Sequence, residues 1–160
     1  MHRLTLGLVV SLVLLIGLRQ PPSVLAVTYP AGWNLVSGPT GSTLVGASGS
    51  LYSLQPGDAT YESFPATAAL QSGWGYWAYF PTGGSLRSAA DTIFYNVTLS
   101  PGQWAMIGDP SATGPVTVAG ADTVLTYSPS GGYTPATTLQ PGQGAWAMGT
   151  GVLQLVAQVV

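Results

Sequence analysis

The sequence predicts an all-β protein in which two tandem copies of about 65 residues share one core, arranged as a pseudo-twofold β-sandwich or barrel. Three observations lead there. With 22 Gly and 13 Pro in 160 residues, the chain is broken too often for long helices. Its Trp, Tyr, Val and Thr content suits short strands joined by tight turns. The third observation is an internal repeat, which constrains the architecture before any single strand is assigned.

The N-terminus is read first. His2 and Arg3 precede an apolar run from Leu4 to Leu18, and a polar, Pro-containing stretch leads to Val24-Leu25-Ala26. This is the pattern of a secretory signal peptide spanning residues 1–26, with Val27 as the first residue after cleavage. A retained anchor is the alternative, but the run of 15 residues is shorter than a bilayer span and Pro21-Pro22 ends any helix there. Membrane contact is therefore expected only through the signal peptide before cleavage. No Cys follows to carry a lipid or form a disulfide, so an exported chain of this kind has to be held by its core.

The repeat begins where the signal peptide ends. Val27–Pro39 reads VTYPAGWNLVSGP and Val97–Pro110 reads VTLSPGQWAMIGDP, which places Trp33 on Trp104 and Val36 on Ile107. Later, LQSGWGYWAY from Leu70 aligns with LQPGQGAWAM from Leu139, so that Gly73 matches Gly142, Gly75 matches Gly144 and Trp77 matches Trp146. The expected units are 27–90 and 91–160, folding together because a 65-residue domain buries little surface alone. Asp91–Leu99, with Ile93, Phe94, Tyr95, Val97 and Leu99, is too apolar for a flexible linker between independent domains.

Strands follow in order within each copy. Val27–Tyr29 and Trp33–Val36 read as a hairpin across Pro30-Ala31-Gly32, and the second copy turns at Pro101-Gly102. Gly/Ser/Thr-rich stretches come next, at 37–50 and 108–120, before strands at Leu51–Leu54 and Thr123–Tyr127 that lead towards Tyr61 and Tyr133. Each copy is expected to close on a hairpin, Gly75–Phe80 with Ser85–Ala89 and Gly144–Met148 with Val152–Ala157. Asp91–Leu99 is an alternating strand joining the copies.

Alternation in the closing strand separates Trp77 and Tyr79 from Trp74, Tyr76 and Ala78. Positions bulky in both copies are expected to be core, which assigns Trp33, Trp77, Trp104 and Trp146 to the interior. Trp74 and Tyr76 have small or polar counterparts, Gln143 and Ala145, which leaves two readings: the rings cover the neighbouring copy or an edge, or they form an exposed aromatic platform in the first copy.

Composition narrows the chemistry. Only 5% of residues are charged and none is Lys, so no basic patch can neutralise a nucleic-acid backbone. Beyond residue 26 there is neither His nor Cys, which removes the Ser-His-acid triad, the thiol nucleophile and the usual zinc ligands. Asp58 with Glu62, or Asp109 with Asp122, would be the carboxylate pairs of a glycosidase, but Asp58 and Asp109 sit in turn sequences. No calcium-loop pattern occurs, and Asn96-Val97-Thr98 is a sequon inside an expected strand. No catalytic residue, metal or cofactor is expected.

The segments AGWNLVSGP and LQSGWGYWAY resemble a duplicated β module of exported bacterial proteins, with a Gly-Trp-Asn-Leu opening and a Leu-x-x-Gly-x-Gly-Tyr-Trp closing signature. The second copy departs from it at Gln103-Trp104-Ala105-Met106 and at Ala145. The resemblance implies export and a duplicated architecture, with no defined activity. The expected function is a non-catalytic, secreted or cell-envelope structural or interaction module whose partner is a protein or a polysaccharide. The alternative is a carbohydrate-binding module using Trp74, Tyr76 and Tyr61, with Asn34 and Gln71 as polar contacts.

Overall fold

A computed structural model describes residues 24–90 and 94–158. The expected signal peptide up to residue 23, and Asp91 to Ile93, lie outside the described residues. The described chain forms fifteen strands and no helix. In the first half these are β1 (Thr28–Tyr29), β2 (Gly32–Val36), β3 (Thr43–Val45), β4 (Ser48–Ser53), β5 (Glu62–Pro65), β6 (Tyr76–Phe80) and β7 (Gly84–Arg87). The second half has β8 (Phe94–Leu99), β9 (Trp104–Gly108), β10 (Val116–Ala119), β11 (Thr123–Ser128), β12 (Gly132–Pro135), β13 (Thr138–Leu139), β14 (Gly144–Met148) and β15 (Gly151–Ala157).

The strands assemble into four antiparallel sheets in a four-bladed, propeller-like arrangement. Their orders are β1-β7-β3, β2-β6-β4-β5, β9-β14-β11-β12 and β8-β15-β10-β13. The expected closing hairpins do not form. β6 pairs with β2 and β4 while β7 pairs with β1 and β3, and likewise β14 and β15 enter different sheets. The opening hairpin fails in the same way, since β1 pairs with β7 and β2 with β6. A short Gly-containing turn between two apolar strands serves a sheet-to-sheet corner as well as a hairpin. Here the corner wins because it brings Phe80 of β6 and Leu86 of β7 into one buried cluster from two sheets.

Two buried clusters replace the single core that the repeat implied. One joins Val36, Leu44, Leu51, Leu70, Tyr76, Ala78, Phe80 and Leu86, all from the first half. The other draws on β8 to β11 and β13 to β15, with Val97, Ile107, Val116, Leu139, Leu153 and Leu155 among its members. Val27 packs against the first cluster, and its carbonyl accepts a hydrogen bond from the Leu86 N–H at 3.1 Å.

The halves are tied by reciprocal backbone pairing. Val36 bridges to Gln143, and Ile107 bridges to Trp74, both antiparallel. The Ser37 N–H donates to the Gly142 carbonyl at 2.9 Å, and the Gly108 N–H to the Gly73 carbonyl at 3.0 Å. The closing signature is explained by this contact. A Cβ at Gly75 would collide with the Ile107 carbonyl oxygen, and one at Gly144 would lie 2.7 Å from the Val36 carbonyl oxygen. These glycines let each half lay its backbone against the other.

Candidate functional site

The register of the two central four-stranded sheets gathers aromatic side chains on one face. Trp33 is directly opposite Tyr79, and Trp77 is opposite both Leu35 and Tyr52. In the second half Trp104 is opposite Met148, Trp146 is opposite Met106 and Leu125, and Tyr127 is opposite Tyr133. Directly opposed residues point to the same side of a sheet, so these rows define a common face in each half. Leu35 and Met106 are buried on that face yet belong to neither core cluster, and so they form its apolar floor.

The rings above the floor are open to solvent. Exposures of 44% for Trp33, 49% for Tyr61 and 54% for Tyr133 mark them as surface, and Tyr52, Tyr79 and Trp104 are exposed as well. Trp77, Tyr127 and Trp146 are half-buried between them. Two chains of ring contacts cross the boundary between the halves, one where Tyr61 meets Trp146 at 6.1 Å and the other where Trp77 meets Tyr127 at 5.0 Å. Within the first half, Trp33 contacts Tyr79 at 5.4 Å and Tyr52 at 6.2 Å.

Two adjoining grooves are set into this face. The larger, about 470 Å³, is lined by Trp33, Tyr52, Tyr61, Trp77, Tyr127 and Tyr133. The smaller, about 400 Å³, is lined by Leu54, Trp104, Leu125, Tyr133 and Trp146. Tyr133 belongs to both. Neither lining contains a charged side chain.

This reverses the inside and outside expected for the closing strand. Trp33 and Trp104 are exposed instead of core, and Trp77 and Trp146 line grooves. Of the two readings of Trp74 and Tyr76, the exposed platform does not form. Tyr76 is buried at 2% exposure, and half-buried Trp74 packs beside it and Phe64 against the first cluster. Burial pushes the Tyr76 hydroxyl up to about 12, partly opposed by the Gln71 backbone N–H, which donates to it at 3.1 Å. Asn34 is also buried, its side-chain amide donating to the Pro30 and Gly32 carbonyls and so bracing the turn into β2. Gln71 is exposed, and it is absent from both groove linings. Of the five expected contact residues, Tyr61 alone lies on the aromatic face.

Tyr52, Tyr127 and Tyr133 were not singled out from the sequence, although alternation offered a signal. In β4, Leu51 and Ser53 are buried and Tyr52 between them is exposed, a pattern that sends Tyr52 to the side of its partner Trp77.

The acidic residues serve turns where their bonds are seen. Asp58 accepts the Gln55 N–H at 2.7 Å, and buried Asp109 accepts the Ser111 N–H at 2.7 Å. Among the described residues no group of three His, Cys, Asp or Glu side chains is placed to hold a metal ion. Comparison of the chain with protein-family models, with curated proteins and with solved structures gave no match.

Proposed function

We propose that this protein is a non-catalytic, exported interaction module that engages its partner through the aromatic face. One observation carries the reading: exposed and half-buried Trp and Tyr rings from both halves share one face, two chains of ring contacts cross between the halves, and among the described residues no charged side chain lines the grooves. Rings of this kind combine large contact area with little side-chain entropy to lose, which is why they dominate binding surfaces. A contiguous apolar surface left open on a folded chain is otherwise an aggregation liability.

Export is supported by the tripartite N-terminus of the sequence. Val24, Leu25 and Ala26 are exposed, whereas Val27 is half-buried against the first core cluster, so cleavage after Ala26 would leave the core intact and remove the hydrogen bond from the Leu25 N–H to the Ala112 carbonyl. The duplication reading gains support from strand order. By position in each half, β2-β6-β4-β5 corresponds to β9-β14-β11-β12, and β1-β7-β3 to β8-β15-β10. On this reading each unit, 27–90 and 91–160, is a small sandwich related to the other by an approximate twofold axis through the Gly-mediated pairing.

The test is binding of the labelled exported protein to the surface of the cells that produce it. Trp33→Ala and Tyr133→Ala should each lower surface binding at least tenfold. Val152→Ser, at an exposed position on β15 in another sheet, should leave it unchanged. Equal binding by all three variants would overturn the assignment of the face.

A further inference from the structure

Resting on the reading of the aromatic face as a binding surface, we infer that its ligand is a neutral, proline-rich segment in the extended polyproline II conformation, seated across the two adjoining grooves. The lining chemistry is the first reason. Among the described residues the grooves present only Trp, Tyr and Leu side chains, so every side-chain polar atom they offer is an indole N–H or a phenol hydroxyl. The hydroxyls of Tyr29 and Tyr76 are engaged by the protein, bonding to the Gly142 carbonyl and the Gln71 N–H. Those of Tyr52, Tyr61, Tyr127 and Tyr133 make no hydrogen bond to another described residue, which leaves them available as donors.

A proline-rich chain complements such a donor set. Proline has no backbone N–H, and the polyproline II helix makes no internal hydrogen bonds, so its carbonyls are acceptors in search of donors. Polysaccharide hydroxyls ask for more. They both donate and accept, and the carboxylate, amide and guanidinium groups that meet them in pairs are missing from both linings.

Ring geometry is the second reason. Adjacent rings are tilted to one another and none is coplanar, from 49° for Trp33 and Tyr52 and 62° for Tyr127 and Tyr133 to 78° for Tyr52 and Tyr61 and 88° for Trp104 and Trp146. Rings so arranged wall the two grooves instead of forming the coplanar platform on which sugar rings stack. A pyrrolidine ring is small enough to seat in grooves of this size, as in other aromatic grooves that read proline-rich segments.

The third reason is repetition. Trp33 and Trp77 line one groove where Trp104 and Trp146 line the other, with Tyr133 between them. A polyproline II chain returns to the same side every three residues, a rise of about 9 Å, and so presents like groups to like pockets. The first groove has Tyr52 and Tyr127 where the second has Leu125 and Leu54, which gives the first more donors and makes it the stronger subsite.

The experiment is a titration of the exported protein, followed by the indole N–H signals of its tryptophans in ¹H–¹⁵N spectra. The probes are a capped decaproline peptide, a capped Gly-Ser peptide of equal length, and neutral β-linked glucose and xylose hexasaccharides. Decaproline should shift the Trp33 and Trp77 signals saturably and the Gly-Ser peptide should not. Tyr133→Ala should weaken decaproline binding at least tenfold, and Tyr52→Leu more than Leu125→Ala. Saturation by a hexasaccharide at the same signals without any response to decaproline would overturn the ligand class and leave the binding face standing. No response to decaproline, while cell binding still depends on Trp33 and Tyr133, would likewise refute the proline-rich ligand alone. If cell binding is also indifferent to those rings, the face itself is refuted.

Discussion

Tyr76 and Trp77 are neighbours in β6 that face opposite ways, and their environments set opposite roles. Tyr76 fills the first core cluster beside Phe64 and Trp74. Replacing it by Ala should cost about 3–5 kcal/mol in denaturant melts, the penalty of a large aromatic cavity. Its ionisation gives an independent check. Burial pushes the Tyr76 hydroxyl up to about 12 from the ordinary 10.0, and burial raises that of Tyr29 as well. In the unfolded chain both would ionise near pH 10, so above that pH the unfolded state gives up protons that the folded state keeps. Stability is full below about pH 10 and falls as pH rises through 12. Tyr76 alone accounts for roughly 2–3 kcal/mol of that loss, and Tyr76→Phe should flatten the alkaline decline in a pH series of melts. The two faces of β6 were legible in the sequence, because alternation assigns them without tertiary information. Which face turns inward was not legible, because both carry apolar groups. Bulk at matched positions points to core, whereas the interior takes Tyr76, Ala78 and Phe80 from β6 and only Ala145 and Ala147 from β14, and the matched Trp77 and Trp146 lie on the opposite face.

Gly75 and Gly144 stand at the crossing points where each half lays its backbone on the other. Valine at either position would meet a carbonyl oxygen of the opposite half. Gly75→Val and Gly144→Val should each destabilise by about 1–3 kcal/mol or more. Gly114→Ala, where an added Cβ meets nothing within 4 Å, should be near neutral; comparable losses at all three sites would remove the special role of the crossing. Strand positions were largely visible beforehand, including the stretch that became β8, because periodicity and turn residues are local. Pairing was not. A strand, a Pro-Thr-Gly turn and a second strand spell a hairpin locally, and only the burial of Phe80 and Leu86 in one cluster from two sheets selects the corner. The short strands β3 and β10 were hidden in Gly/Ser/Thr-rich stretches for the same reason, since their partners β7 and β15 lie far along the chain.

At the scale of the molecule, the two halves keep separate cores and share a surface. The cores lie within each half, while the larger groove takes Trp33, Tyr52, Tyr61 and Trp77 from one half and Tyr127 and Tyr133 from the other. The surface therefore exists only when the halves are docked, so the reciprocal pairing is also what assembles the larger groove. The central claim is that these rings are a built surface and not the interior of the fold. The most direct measurement is a denaturant melt of the protein carrying Trp33→Thr, Tyr52→Thr, Tyr61→Thr and Tyr133→Thr together, all at exposed strand or strand-flanking positions. Each change should cost on the order of 0.5 kcal/mol at an exposed site, so the quadruple variant should fold cooperatively with most of its stability intact. An unfolded or non-cooperative quadruple variant would return the rings to the core and contradict the account.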